Sequence, residues 1–220
     1  MGDMYMQQRP AYPATTSTSG LLGAVLAITG VGFIITAIAA YIFRDVSPMI
    51  GLGAMIAGFV LLFVMNGVRR QPQTALLLFY VFTFLWGIGI APTITSYITR
   101  LGPDVVVDAA ATTGLGMLIL GLVAYTFSFD WRKLSSFAFG ALIALIIVGL
   151  LSIFFHFLQP GTYAWMTLGV FTLLTLVDFA RIRAGGDGLT AVDLAISIYL
   201  DGINIFLALL QLLGLRRSED

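Results

Sequence analysis

Long apolar runs alternate with short polar punctuation along most of the chain, and they predict seven membrane-spanning helices. The runs are Leu21 to Phe43, Met49 to Val68, Ala75 to Tyr97, Ala109 to Phe129, Leu134 to Leu158, Tyr163 to Ala180 and Leu189 to Leu215. Each is near the ~20 residues that cross ~30 Å of hydrocarbon. The apolar positions show no period of two, so the spans are helices and not strands of a barrel. Charged residues mark the ends of the runs: Arg44 and Asp45, Arg69 and Arg70, Arg100, Asp130 to Lys133, Arg181 and Arg183, Arg216 and Arg217. The fold class is therefore an all-α integral membrane protein. Residues 21–217 form the transmembrane domain, and residues 1–20, rich in Pro, Ser, Thr and Gln, read as a disordered cytoplasmic tail.

Orientation follows from the basic residues. With the N-terminus in the cytoplasm, the inner segments hold Arg9, Arg69, Arg70, Arg132, Lys133, Arg181 and Arg183, and the outer ones Arg44, Arg100, Arg216 and Arg217. That asymmetry predicts N-terminus in, C-terminus out.

Composition agrees: 59% of residues are hydrophobic and 10% charged, where a soluble domain is about half apolar and about a quarter charged. A net charge of zero offers no field for nucleic acid. Without cysteine there are no disulfides, thiolate metal sites or cysteine nucleophiles. One histidine, His156, is too few for a histidine-rich centre, and no serine lies in a nucleophile motif. No enzyme activity and no resident cofactor are expected. A bound cation would be a hard one held by oxygen, such as calcium.

Candidate chemistry lies where charge enters lipid, which costs about 2.5–3.5 kcal/mol for a mid-helix aspartate. The first five spans have clean middles. Asp178 lies in the last turns of span six, and Asp193 and Asp201 lie in span seven. Ser197 falls midway between the latter two, and Asn204 continues the side of Asp201. The stripe predicts that a half-polar seventh helix sits inside a ring of the other six. The short connection Arg183 to Gly188 makes spans six and seven neighbours, so Asp178 and Asp201 can approach. Two close carboxyls in low dielectric cannot both ionise cheaply and titrate as a coupled pair. Arg69 or Arg70, ending span two on the same side, would latch them. Plainer readings stand beside these: Asp193 as a helix cap or interfacial charge, Arg69 and Arg70 as topology signals, and Asp178 and Asp201 as interfacial and structural polar groups.

The stretch Ile196-Ser197-Ile198-Tyr199-Leu200-Asp201-Gly202-Ile203-Asn204-Ile205-Phe206, running on to Leu212-Leu213-Gly214, resembles the last helix of the transmembrane Bax-inhibitor motif family. Phe82 to Pro92 looks like that family's third helix, and Val177 to Ile182 occupies the place of its aspartate-bearing end of helix six. The resemblance implies six helices around a central seventh in a bacterial inner (plasma) membrane. It also implies a pH-sensitive calcium leak with Asp178 and Asp201 as ion pathway, calcium ligands and pH sensor, and Arg69 or Arg70 as latch. Gly202 stands where the family usually has a bulky aromatic, and Gln211 where it often has a basic residue. The alternative is a non-conducting regulator that binds a membrane protease or other membrane protein partner through the tail.

Overall fold

The computed structural model describes residues 18–69 and 71–218; the predicted tail up to Ser17, and Arg70, lie outside them. The described residues form seven long helices. They are α1 (Thr18–Ile42), α2 (Pro48–Gly67), α3 (Pro72–Leu101), α4 (Asp104–Thr126), α5 (Trp131–Phe155), α6 (Pro160–Arg183) and α7 (Ala191–Arg217). α1 takes in Thr18 to Gly20, which the sequence pattern assigned to the tail.

Local chemistry sets the boundaries. Pro48, Pro72 and Pro160 open their helices in the first turn, where a missing N–H costs nothing. The Ser47 hydroxyl accepts from the backbone N–H of Ile50 at 3.4 Å. The carboxyl of Asp130 accepts from the N–H of Lys133 at 3.3 Å, and that bond holds Asp130 below the usual carboxylate range. α7 opens with a reciprocal capping box between Thr190 and Asp193. α5 ends at His156, in the left-handed region at φ 50°. Between α6 and α7 the chain turns through four consecutive left-handed residues, Gly185, Gly186, Asp187 and Gly188. Three are glycine, the residue that adopts this region without a Cβ penalty. The sharp reversal places α6 and α7 side by side.

α7 packs mainly against α1, α3, α4 and α6, so its principal surround is four helices and not the expected six. α2 is seated on α3, and α5 on α6. These two pairs extend the bundle outward and share with α7 only local apolar clusters, Met65 of α2 with Val192 and Leu145 of α5 with Ile205. Close approach of α1 and α3 depends on Gly87, where a Cβ would come within 2.5 Å of the Thr36 carbonyl. The outer faces are apolar: Phe63 on α2, Leu118 on α4 and Phe154 on α5 are all exposed. Such faces suit hydrocarbon and not water. Inside, buried aromatic and aliphatic side chains of α1, α2, α3 and α7 form one cluster and those of α1, α4, α6 and α7 another.

Ion pairs tie the helix ends together. On the side of the α6–α7 turn, Arg132 meets Asp187 at 2.8 Å, and Arg183 donates to the Phe127 carbonyl at the end of α4, also at 2.8 Å. On the opposite side Arg217, ending α7, meets Asp108 in the first turns of α4 at 2.6 Å.

Candidate functional site

The antiparallel pair α6 and α7 carries two acidic side chains into the bundle. Asp178 is 7% exposed and Asp201 is 4% exposed. They are close enough for their charges to interact. The Thr175 side chain, one turn before Asp178 on α6, also lies beside the Asp201 carboxyl. Oxygen Oδ2 of Asp201 is buried and has no hydrogen-bond partner among the described residues. A buried acceptor left unpaired costs about 1–3 kcal/mol, and more for a charged group; Trp86 Nε1 and Tyr125 Oη are also unpartnered, but Asp201 is the carboxyl among the three.

The cation at the pair is Arg181. Its Nη1 is 3.4 Å from Oδ1 of Asp178, three residues back on the same helix. Its Nη2 donates to the Ser135 hydroxyl of α5 at 3.2 Å, and its guanidinium lies 5.2 Å from the centre of the Trp131 ring. α5 thus holds the arginine in place. Arg181 thus pairs with one carboxyl, Asp178, whose neighbour is Asp201: with one carboxyl protonated the three groups are electrically balanced, and with neither protonated they carry an excess negative charge.

Arg69 is placed elsewhere. Its Nε is 3.4 Å from Asp193, with the arginine side chain 57% exposed. The expected contact of Arg69 with the Asp178–Asp201 pair is therefore replaced. α2 reaches only the first turn of α7, and Asp201 lies eight residues further on, about 12 Å of helical rise. Asp193 also accepts from the Thr190 backbone N–H at 3.0 Å and hydroxyl at 2.8 Å, so it is the helix cap that the plainer reading described. Ser197 is half-buried on α7, and Asn204 donates its amide to the Leu200 carbonyl within the same helix at 2.7 Å. Arg70 falls outside the described residues.

Two further features escaped the sequence reading. The first is Arg181 itself, assigned to topology although its i, i+3 spacing from Asp178 puts both on one face. The second is Tyr199, fully buried on the other flank of α7. Its hydroxyl shares a 2.6 Å hydrogen bond with Thr36 of α1, and the Thr36 hydroxyl lies 2.9 Å from the Thr83 carbonyl of α3. Phe33, Phe79 and Phe82 pack around the ring at 5.1–5.7 Å between centroids.

A cavity of about 650 Å³ lies between α1, α3, α4 and α7. It runs from mid-bundle, at Phe33, Met117 and Gly202, to the end of α1 at Arg44. At its floor, a Cβ on Gly202 would stand 2.6 Å from Phe33 and 2.9 Å from Met117. Asp201 is one residue away but is not part of the wall; it turns toward α6. The cavity and the carboxyl pair therefore occupy different flanks of α7.

Seven apolar helices with a carboxyl pair buried between two of them define a multi-pass integral membrane protein. Residues 18–218 match the sequence model of the family described as Inhibitor of apoptosis-promoting Bax1, and the chain belongs to this Bax inhibitor family. It is 31% identical to a Vibrio cholerae protein described as an uncharacterized membrane protein, over 80% of this chain and 79% of that one. An uncharacterized protein of Borreliella burgdorferi is 28% identical over 90% of this chain and 93% of its own length. One from Helicobacter pylori is 26% identical over 75% and 72%.

Proposed function

We propose that this protein is a pH-sensitive calcium-permeable leak whose gate is the Asp178–Asp201 pair. One observation carries the reading: two carboxyls lie buried side by side, Asp178 paired with Arg181, and one Asp201 oxygen has no partner among the described residues. A buried polar atom without a partner is the kind of group a bundle retains for use and not for stability. Gain or loss of a proton at the pair changes its attraction for Arg181 and shifts the closed and open populations. Two carboxylates and the Thr175 hydroxyl supply oxygen for a passing hard cation, far fewer than the 6–8 ligands of a resident calcium site. Such weak coordination suits passage. The arginine asymmetry supports a cytoplasmic N-terminus, with the pair nearer the cytoplasmic side, and the bacterial relatives suit an inner membrane. In this reading the protein has no catalytic role and no resident cofactor.

The test is calcium flux into liposomes containing the purified protein, followed from weakly acid to weakly alkaline pH. Wild type is expected to show flux that changes with pH. The double substitution Asp178→Asn with Asp201→Asn is expected to flatten that profile; an unchanged profile sinks the mechanism. A second reading, a non-conducting regulator holding a membrane protein partner, is favoured by the largely apolar wall of the cavity. Folded wild-type protein that passes no calcium at any pH would decide for it.

A further inference from the structure

The cavity opposite the carboxyl pair has no part in that gate, and its chemistry points to a different ligand. It follows α1 from Phe33 to Arg44, eleven residues, or about 16 Å of helical rise. Its volume lies within the ~300–1,000 Å³ of small-molecule sites. Polar groups are sparse along it. Thr36 is engaged by Tyr199 and the Thr83 carbonyl, and Thr113 donates to the Ala109 carbonyl at 2.8 Å. A hydrated solute would find few partners there. Ala37 of α1 and Ala110 and Gly114 of α4 line it and are exposed, so the chamber opens between helices. A Cβ on Gly114 would meet no atom within 4 Å.

The mouth carries the charge. Arg44 lies two residues past the end of α1, at the level where an apolar helix gives way to headgroups. The Tyr41 ring sits under its guanidinium at 4.9 Å, and Thr95 of α3 donates to its carbonyl at 2.9 Å. Its ionic partner Asp45 is 3.6 Å away with a side chain 87% exposed, a surface pair of little strength. An arginine so placed favours an anion, and arginine binds phosphate with two parallel hydrogen bonds. The chamber opens between helices whose outer faces are apolar, so the occupant comes from the bilayer.

We infer that the cavity between α1, α3, α4 and α7 binds one acyl chain of an anionic phospholipid, with the lipid phosphate on Arg44. The apolar wall takes the hydrocarbon and Arg44 at the rim selects the headgroup. Occupancy does not depend on conduction, so this site stands or falls apart from the calcium gate.

The experiment is photo-crosslinking of the full chain in phosphatidylcholine liposomes. The probe is phosphatidylglycerol with a diazirine in one acyl chain, compared with phosphatidylcholine carrying the same chain. Mass spectrometry then locates the adducts. The expected result is adducts on cavity residues such as Ala37, Ala110 and Met117, about fivefold more from phosphatidylglycerol, the weight of one basic side chain at an anionic surface. Arg44→Gln is expected to abolish the headgroup preference while leaving the adducts in place. Gly114→Phe projects into open space, so it is expected to fold and to remove the cavity adducts. Thermal unfolding of both variants checks that they are folded. Adducts confined to outward residues of α2 and α5, or cavity adducts with equal yield from both lipids, would overturn the assignment.

Discussion

Asp201 and Tyr199 are two residues apart on α7, about 200° around a helix of ~3.6 residues per turn. Both are buried polar side chains, and they face opposite flanks. Tyr199 is fully satisfied: its hydroxyl has Thr36, Thr36 has a carbonyl partner, and three phenylalanines enclose the ring. Asp201 has an unpartnered oxygen and a second carboxyl as its charged neighbour. The difference separates two uses of polarity in a membrane bundle. A neutral group with every partner in place fastens helices together. An ionisable group short of partners adds little to stability and remains open to a proton or a cation.

Substitutions that remove each flank sharpen the contrast, and the largest effect belongs to the fastening side. Tyr199→Ala removes a fully buried ring from the junction of α1, α3 and α7. It is expected to cost ~3–5 kcal/mol, as for a large aromatic truncated in a packed core. Denaturant unfolding in detergent micelles measures it, and the loss should be the same at every pH. A loss confined to one pH range would mean that Tyr199 is tied to the titrating flank, and the comparison would fail.

Next in size is the ion pair. Arg181→Gln leaves Asp178 buried without its cation, and the loss of a charged hydrogen bond is worth about 1.5–3 kcal/mol. Adding Asp178→Asn removes the unpaired charge and is expected to restore most of the stability. The measurement is a double-mutant cycle on unfolding. Additive costs would show that the two side chains do not act as a pair.

The sequence made some of this legible and hid the rest for identifiable reasons. The seven spans are plain because each apolar run is long and its ends carry proline or charge. Their bounds shift by a few residues where capping acts: Pro72 starts α3 ahead of the apolar run, and Thr190 with Asp193 starts α7. The approach of Asp178 to Asp201 follows from a connection too short to let α6 and α7 part. The arginine at the pair was open to reading from the i, i+3 spacing of Asp178 and Arg181, but a basic residue at a span end equally marks topology. The turn of α7 that α2 reaches depends on packing against α3, which apolar spans of similar composition do not disclose. The same holds for the surround of α7, since α2 and α5 read like the helices that contact it. The cavity is silent in sequence because Ala37, Ala110 and Gly114 look the same whether they admit a neighbouring helix or leave a space beside it.

The smallest pair of changes divides the two flanks most cleanly. Tyr199→Phe deletes one hydroxyl, and hydrogen bonds between membrane helices average only ~0.6 kcal/mol. Thr36 keeps the Gly32 and Thr83 carbonyls as partners, so nothing is orphaned. This variant should unfold slightly more easily than wild type with an unaltered pH profile. Asp201→Asn is equally small in shape, but it exchanges the unpartnered oxygen for an amide that can donate to Asp178, and it removes an ionisable carboxyl from the hydrocarbon interior. It should be at least as stable as wild type at neutral pH, and its unfolding should depend less on pH, because one of the two coupled groups no longer titrates. Unfolding midpoints of the three proteins, measured from acid to neutral pH, distinguish the flanks. If Asp201→Asn keeps the wild-type profile, or Tyr199→Phe flattens it, then the carboxyl buried on the α6 side of α7 is fastening after all, and the division between the two residues disappears.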